Sequence, residues 1–169
     1  AEATSVTVTI AGTPTAASTD AMAITIPAAS LTGGTEVTVT ANANAKFAIT
    51  AADAASATVG DVTVEGTVNQ AITDAEVTIT LANDTFKAAM AANDDVSGWF
   101  NLPAGLTAKV KTATEAEATS VTVTIAGTPT AASEAAMAIT IPADNLTGSK
   151  AVTVTENTNA KYAITEVTA

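Results

Sequence analysis

Cysteine, histidine and arginine are all absent from the 169 residues, and only five aromatic side chains occur: Phe47, Phe86, Trp99, Phe100 and Tyr162. Each absence excludes a class of chemistry. Without histidine or cysteine, neither a Ser-His-Asp nor a Cys-His nucleophile can be assembled, and a zinc site of the usual ligand set cannot form. Zero cysteine fits an extracellular protein that folds without disulfides. Basic residues are scarce: six lysines face 17 acidic groups, for a net charge of −11. Such a surface repels phosphate backbones, so nucleic acid is not an expected partner. No apolar run is long enough to span a bilayer as a helix, and no membrane insertion is expected. The first residues, AEATSVTV, carry neither a basic region nor an apolar core segment, so any export signal or anchor is expected outside the chain.

What is present is small and β-branched. The chain is 47% hydrophobic and 14% charged. Alanine makes up about a quarter of it and threonine about a fifth, both far above ordinary usage.

The strongest signal is an internal repeat. Residues 2–50 recur at 117–165, at an offset of 115 and without insertion or deletion, and 39 of the 49 aligned positions are identical. Differences fall where loops are expected: Thr19/Glu134, Asp20/Ala135, Ala29/Asp144, Ser30/Asn145, and Gly34-Thr35-Glu36 against Ser149-Lys150-Ala151. Apolar positions are kept, with Phe47 becoming Tyr162. This period is the size of one domain rather than of a solenoid turn. The expected organisation follows. Residues 1–50 are the second half of a preceding repeat, 51–57 a linker, 58–165 a complete repeat, and 166–169 the start of the next linker. The chain reads as a window from a longer tandem array.

Local periodicity indicates strands. In Ser5-Val6-Thr7-Val8-Thr9-Ile10 the apolar residues fall on one face and the threonines on the other, and the same alternation recurs along the chain. Turn residues punctuate the runs at Gly12-Thr13-Pro14, Pro27, Gly33-Gly34, Pro103-Ala104-Gly105, Gly127-Thr128-Pro129 and Pro142. Within the complete repeat, seven strands are expected at 61–68, 75–82, 106–112, 119–126, 137–142, 150–156 and 160–165. That number of short strands in one domain-sized unit predicts an all-β fold: an immunoglobulin-like two-sheet antiparallel sandwich, in tandem repeats. A turn or two of helix is expected over Thr85–Ala92, after Asn83-Asp84 as a cap. Trp99 is expected in the core with Leu102 and Leu106.

Leu102-Pro103-Ala104-Gly105-Leu106, followed by Gly127-Thr128-Pro129, resembles the immunoglobulin-like repeats of large bacterial cell-surface and S-layer-associated proteins, which pair an LPxGL turn with a later GTP turn. The segment Val96-Ser97-Gly98-Trp99-Phe100-Asn101 is similar to the approach to that turn. The resemblance covers about 96–142. It implies a secreted, cell-surface sandwich in tandem array with no catalysis. One departure is that the first 50 residues do not form a complete repeat of that kind.

Candidate chemistry is sparse. No Gly-x-Ser-x-Gly elbow and no Ser-x-x-Lys dyad occurs, and an enzyme is not expected. No cofactor is expected. Calcium is the ion with candidate ligands: Asn93, Asp94 and Asp95 in one loop, and Asp53 and Asp61 flanking the linker. Calcium needs six to eight oxygens, and neither cluster follows an EF-hand order, so the competing reading is solvated loops. Lys109 and Lys111 on one strand are candidates for a covalent side-chain crosslink, against the alternative that both point into solvent. Two acceptor-like triplets, Asn83-Asp84-Thr85 and Asn145-Leu146-Thr147, match the N-glycosylation pattern.

Two functions follow from these readings. The first is a non-catalytic stalk, spacer or filament unit of a bacterial extracellular surface protein, partnered by neighbouring repeats or other copies of itself through strand complementation. The alternative is an adhesin-type binding module for a glycan or a host or matrix protein, for which Trp99, Phe100 and Tyr162 are the available aromatic contacts.

Overall fold

The computed structural model describes residues 4–167. Thr168 and Ala169, placed above in a second linker, lie outside the described residues. The chain divides into two compact units, Ala1–Asp53 and Ala54–Ala169. It is all-β, with several antiparallel sheets, and its only helical elements among the described residues are three 3-10 turns.

The first unit contains β1 (Thr25–Ile26) and β2 (Val37–Thr38), joined by a 3-10 turn at Ala28–Ser30. The second contains β3 (Ser56–Val59), β4 (Val62–Thr67), β5 (Ile72–Ala82), β6 (Leu106–Val110), β7 (Ser120–Gly127), β8 (Thr140–Ile141), β9 (Val152–Thr153) and β10 (Ala160–Thr165), with 3-10 turns at Ser97–Trp99 and Ala143–Asn145.

In the second unit a four-stranded antiparallel sheet runs in the order β3-β5-β7-β6. Its register explains the alternation in the sequence. Val59, Ile79 and Val121 form one row across three strands, and Val77, Val123 and Val110 form the next. All six are buried. The intervening rows are polar: Thr58, Thr80 and Ser120, then Thr78 and Thr122, then Glu76, Thr124 and Lys109. Thr78 and Thr122 are joined by a hydroxyl–hydroxyl hydrogen bond of 3.1 Å. β-Branched residues suit such a pleated, half-buried surface, and the one-residue alternation assigns them to core or water.

The rest of the unit completes the same core. β4 pairs in parallel with β10, from Val62↔Ala160 to Thr67↔Thr165. β8 and β9 form an antiparallel pair, and Phe100 bridges Ile139. Val64, Met137, Ile139, Ile141, Leu146, Val154, Tyr162 and Ile164 belong to one buried cluster with the inward faces of β3, β5, β6 and β7. At about 1.5–3 kcal/mol for each buried Val, Leu or Ile, this cluster can hold the unit together without disulfides.

The structure differs from expectation in several places. The β4–β10 pair is parallel rather than antiparallel, the unit has eight strands among its described residues rather than seven, and the strands expected at 137–142 and 150–156 are only Thr140–Ile141 and Val152–Thr153. Ser56 and Ala57, placed in the linker, are the first residues of β3, where Ala57 pairs with Leu81 and bridges Val154. Their small side chains carry no strand signal of their own, and the pairing with β5 makes them part of a strand. The segment Thr85–Ala92 forms no helix. Phe86 exchanges backbone hydrogen bonds with Ala118 and Glu117, and Met90 with Thr114. Pairing with 114–118 buries both apolar side chains and outweighs the helix propensity of the alanines between them.

The two turns of the LPAGL and GTP motifs form one device. The amide of Thr128 donates to the Gly105 carbonyl at 3.1 Å, and that of Thr130 to the Ala104 carbonyl at 3.0 Å. Gly105 and Gly127 have φ of +90° and +134°, and a Cβ on either would collide with backbone of the opposite turn. Both positions require glycine for conformation and for space.

Candidate assembly surface

The repeated 49 residues occur once within a core and once without one. Many local features are the same in both places. The register Thr25↔Thr38 and Ile26↔Val37 reappears as Thr140↔Thr153 and Ile141↔Val152. The Ser18↔Ile49 and Ala21↔Lys46 bridges reappear as Ser133↔Ile164 and Ala136↔Lys161. The amide of Met22 donates to the Ala45 carbonyl at 2.8 Å, as Met137 does to Ala160, and Val39 donates to Ile24 at 2.9 Å, as Val154 does to Ile139. Pro27 and Pro142 precede matching 3-10 turns with φ, ψ of −62°, 146° and −64°, 150°. Asn42 and Asn157 each accept the backbone amide two residues on through Oδ1, an Asx turn that precedes β10 in the second unit and the bridged segment 45–50 in the first.

Burial is what differs. Val121, Val123 and Ile125 are 1%, 0% and 0% exposed, whereas their counterparts Val6, Val8 and Ile10 are 80%, 73% and 66% exposed. Ile24, Val37 and Val39 are exposed too, while Ile139, Val152 and Val154 are buried. No described residue of 4–53 is buried. The stretch Ser5–Gly12 forms no strand, although the identical Ser120–Gly127 is β7. The cause is topological. β7 is held on one side by β5 and on the other by β6, both from the opening half of the second unit, and no equivalent flanks Ser5–Gly12. A strand propensity without partners leaves its backbone groups to water. Ile10, Phe47 and Ile49 instead line a shallow hollow that also includes Gly12 and Pro14.

The result is a set of exposed apolar side chains in the first unit. Isolated exposed hydrophobic residues need no explanation, but Val6, Val8 and Ile10 at alternate positions of one stretch, and Ile24, Val37 and Val39 on or beside the β1–β2 hairpin, make this unit a candidate contact surface.

Of the calcium candidates, Asp94 and Asp95 accept bonds in local turns, Asn93 and Asp61 bond to distant parts of the unit, and Asp53 is exposed. Asp94 accepts the Ala91 amide at 2.7 Å, and Asp95 accepts the Ser97 amide at 2.9 Å. The Ser97 contacts hold the Asp95 carboxyl below its ordinary pKa. Asn93, at φ +72°, donates its amide to the Val110 carbonyl at 2.8 Å, which fastens the loop to β6. Asp61 accepts from the side-chain amides of Asn157 at 3.0 Å and Asn159 at 3.2 Å. Asp53 is exposed at the end of the first unit. Among the described residues, no three His, Cys, Asp or Glu side chains converge as a metal-binding group.

Lys111 makes an ion pair with Glu76 and lies 3.8 Å from Asp74, and its pKa is raised mainly by the Glu76 hydrogen bond. Lys109 is exposed in β6. Thr85 and Thr147, the hydroxyl residues of the two glycosylation-like triplets, bond to each other at 2.8 Å.

The aromatic residues are used internally. Trp99 is buried and stacks on Phe86, with ring centroids 6.0 Å apart and planes 6° from parallel. Leu106 is buried in the same cluster, and Leu102 packs against it half-exposed. Tyr162 is fully buried, its hydroxyl has no hydrogen-bond partner, and burial pushes its pKa up to about 12. Of the three aromatics available for an adhesin contact, only Phe100 is partly exposed. No helix among the described residues is long and apolar enough to cross a membrane.

No protein family, curated protein or solved structure matches the chain. The candidate surface therefore rests on the comparison the chain makes with itself. Sequence reasoning found the repeat of 2–50 at 117–165. It did not find the Phe86–Trp99 stack, whose partners are 13 residues apart and carry no periodic signal.

Proposed function

We propose that the chain is a non-catalytic structural stretch of a bacterial extracellular surface protein, built from tandem immunoglobulin-like sandwiches that act as spacers. The observation that carries the reading is the repeat: one 49-residue stretch keeps its turns, hairpin register and cross-strand hydrogen bonds at two positions in the chain. A module that retains its framework on duplication suits an array in which length is the useful property. The sandwich reading is supported by the order β3-β5-β7-β6 and by the chain switching from β3 to β4, which pairs in parallel with the last strand. The surface location rests on the likeness of the LPAGL and GTP turns to repeats of surface proteins.

The topology suits a load-bearing spacer. β4 lies near the start of the second unit and β10 near its end, and the two run parallel over six residue pairs. Tension applied through the two ends slides β4 against β10 along their length. Their hydrogen bonds are then loaded together rather than one at a time. The threonine rows keep the outer face of the four-stranded sheet wet, and the acidic excess keeps neighbouring chains apart.

Stretching single full-length chains by their ends tests this reading. The expected trace has one resisted event, releasing about 35–40 nm, for a unit of some 112 residues at about 3.5 Å each. In parallel, a glycan and matrix-protein array is expected to show no saturable binding. A saturable, micromolar ligand would replace the spacer reading with the adhesin one.

A further inference from the structure

The second unit displays what covers the apolar face that the first unit leaves open. Ser120–Gly127 is flanked antiparallel by β5 and β6, Ala160–Thr165 is paired in parallel by β4, and Leu146 and Ile139 are bridged by Phe86 and Phe100. Every one of these covering residues comes from 54–116. The covered residues are, position for position, those of the first unit, with Tyr162 in place of Phe47.

We propose that residues 4–53 are a docking surface for one kind of partner: an opening half with the sequence chemistry of 54–116, joined through the residue that precedes Glu2. This deepens the spacer reading and rests on it. The partner must supply two strands with apolar residues at alternate positions to flank Ser5–Gly12, and a third to lie parallel to Ala45–Thr50.

Two constraints decide which opening half can serve. The first is reach. For 54–116 of the same chain to accept 2–50 in place of 117–165, Thr50 would occupy the position of Thr165, opposite Thr67. Ser56 starts β3 and Thr67 ends β4, with Gly60 and Asp61 between the two strands. The six residue steps from Thr50 to Ser56 span at most about 20 Å, whereas the eleven steps from Ser56 to Thr67 span about 36 Å when fully extended, so reach disfavours an exchange within one chain. The second is number. Each chain holds one opening half and two closing halves. When one copy lends its 54–116 to another, its own 117–165 is uncovered, and no face is buried on balance.

A further opening half meets both constraints, and the repeated residue pair at the junction is where it would join. In the second unit the opening half passes into the closing half through Ala116-Glu117, and Ala1-Glu2 repeats that pair. An opening half entering there needs no new loop.

The test lengthens the full chain by a second copy of residues 54–115 placed directly ahead of Ala1. Amide hydrogen exchange is then compared with the original chain. The expected result is that the amides of the Val6–Ile10 stretch slow by about 100-fold or more, to the level of their counterparts in Val121–Ile125, with a second unfolding transition of similar enthalpy. In the lengthened chain Val8→Asp should abolish that new protection and leave the original unit's transition in place. In the original chain the same substitution should change neither. Amides at 6–10 that exchange equally fast in both chains would overturn the proposal. So would concentration-dependent protection of 6–10 in the original chain accompanied by dimer in sedimentation, since a second copy would then be the occupant. Discovery of a glycan or protein ligand would sink the spacer reading without altering this comparison.

Discussion

Truncating one isoleucine at two equivalent positions separates sequence from environment. Ile125 is fully buried in β7, and Ile10, in the same local sequence, is 66% exposed. Ile125→Ala removes a buried side chain from a packed cluster and is expected to cost about 2–5 kcal/mol. Ile10→Ala removes groups already in contact with water and is expected to change stability by about 0.5 kcal/mol or less. Trp99, the only tryptophan, lies in the same core as Ile125, so its fluorescence reports unfolding of the second unit. With a urea slope of about 1–3 kcal/mol per molar, a loss of 3 kcal/mol lowers the midpoint by at least about 1 M. Far-UV circular dichroism over the same titration reports both units together. The expected outcome is a large fall in both signals for Ile125→Ala and superimposable curves for Ile10→Ala. Comparable shifts in the dichroism for the two variants would mean that 4–53 closes a core of its own, and the reasoning from exposure would be refuted.

Three further expectations follow. Tyr162→Phe, the residue that the first copy carries at Phe47, deletes a buried hydroxyl without a partner and should raise stability by about 1 kcal/mol. Because burial raises the Tyr162 pKa to about 12 from 10.0, its contribution is complete below pH 10 and is lost as pH rises through 12; by pH 11 the wild-type chain should lose about 1.4 kcal/mol more than Tyr162→Phe, read by urea midpoints at pH 8 and 11. An equal alkaline loss in both would show that the hydroxyl ionises freely. Gly127→Ala forces a Cβ against the backbone of the Gly105 turn and should destabilise the second unit by several kcal/mol, about 2–4. Gly12→Ala, at a similar φ of +143° but with nothing within 4 Å, should leave the Trp99 transition in place. Millimolar calcium should leave the unfolding midpoint unchanged, since Asp61, Asp94 and Asp95 already accept local amide donors; a rise would assign them a ligand role.

The strands of the second unit were legible wherever β-branched residues alternate with threonine. β5 and β7 stand out in Val77–Leu81 and Val121–Ile125, because period-2 burial is written directly in the residue types. β3 was not legible. Ser56-Ala57-Thr58 is compositionally a linker, and only its pairing with β5 and the bridge to Val154 make it a strand. The alanines at 88–89 and 91–92 favour helix locally, but the long-range pairing of Phe86 and Met90 with 114–118 prevails. The parallel union of β4 with β10 joins residues 98 apart, and nothing local encodes it. The exposed apolar residues of the first unit were legible in a different way. The repeat revealed that one stretch occurs twice and its opening partner once. The structure added the consequence, an apolar face buried in one copy and open in the other.

Amide hydrogen exchange on the unmodified chain tests that asymmetry most directly, because the stretches Val6–Ile10 and Val121–Ile125 have identical side chains and identical neighbours in sequence. The expected result is exchange near the unfolded rate at 6–10, and slowing by about 100-fold or more at 121–125. Equal protection of the two stretches in a monomeric sample would contradict the half-module reading.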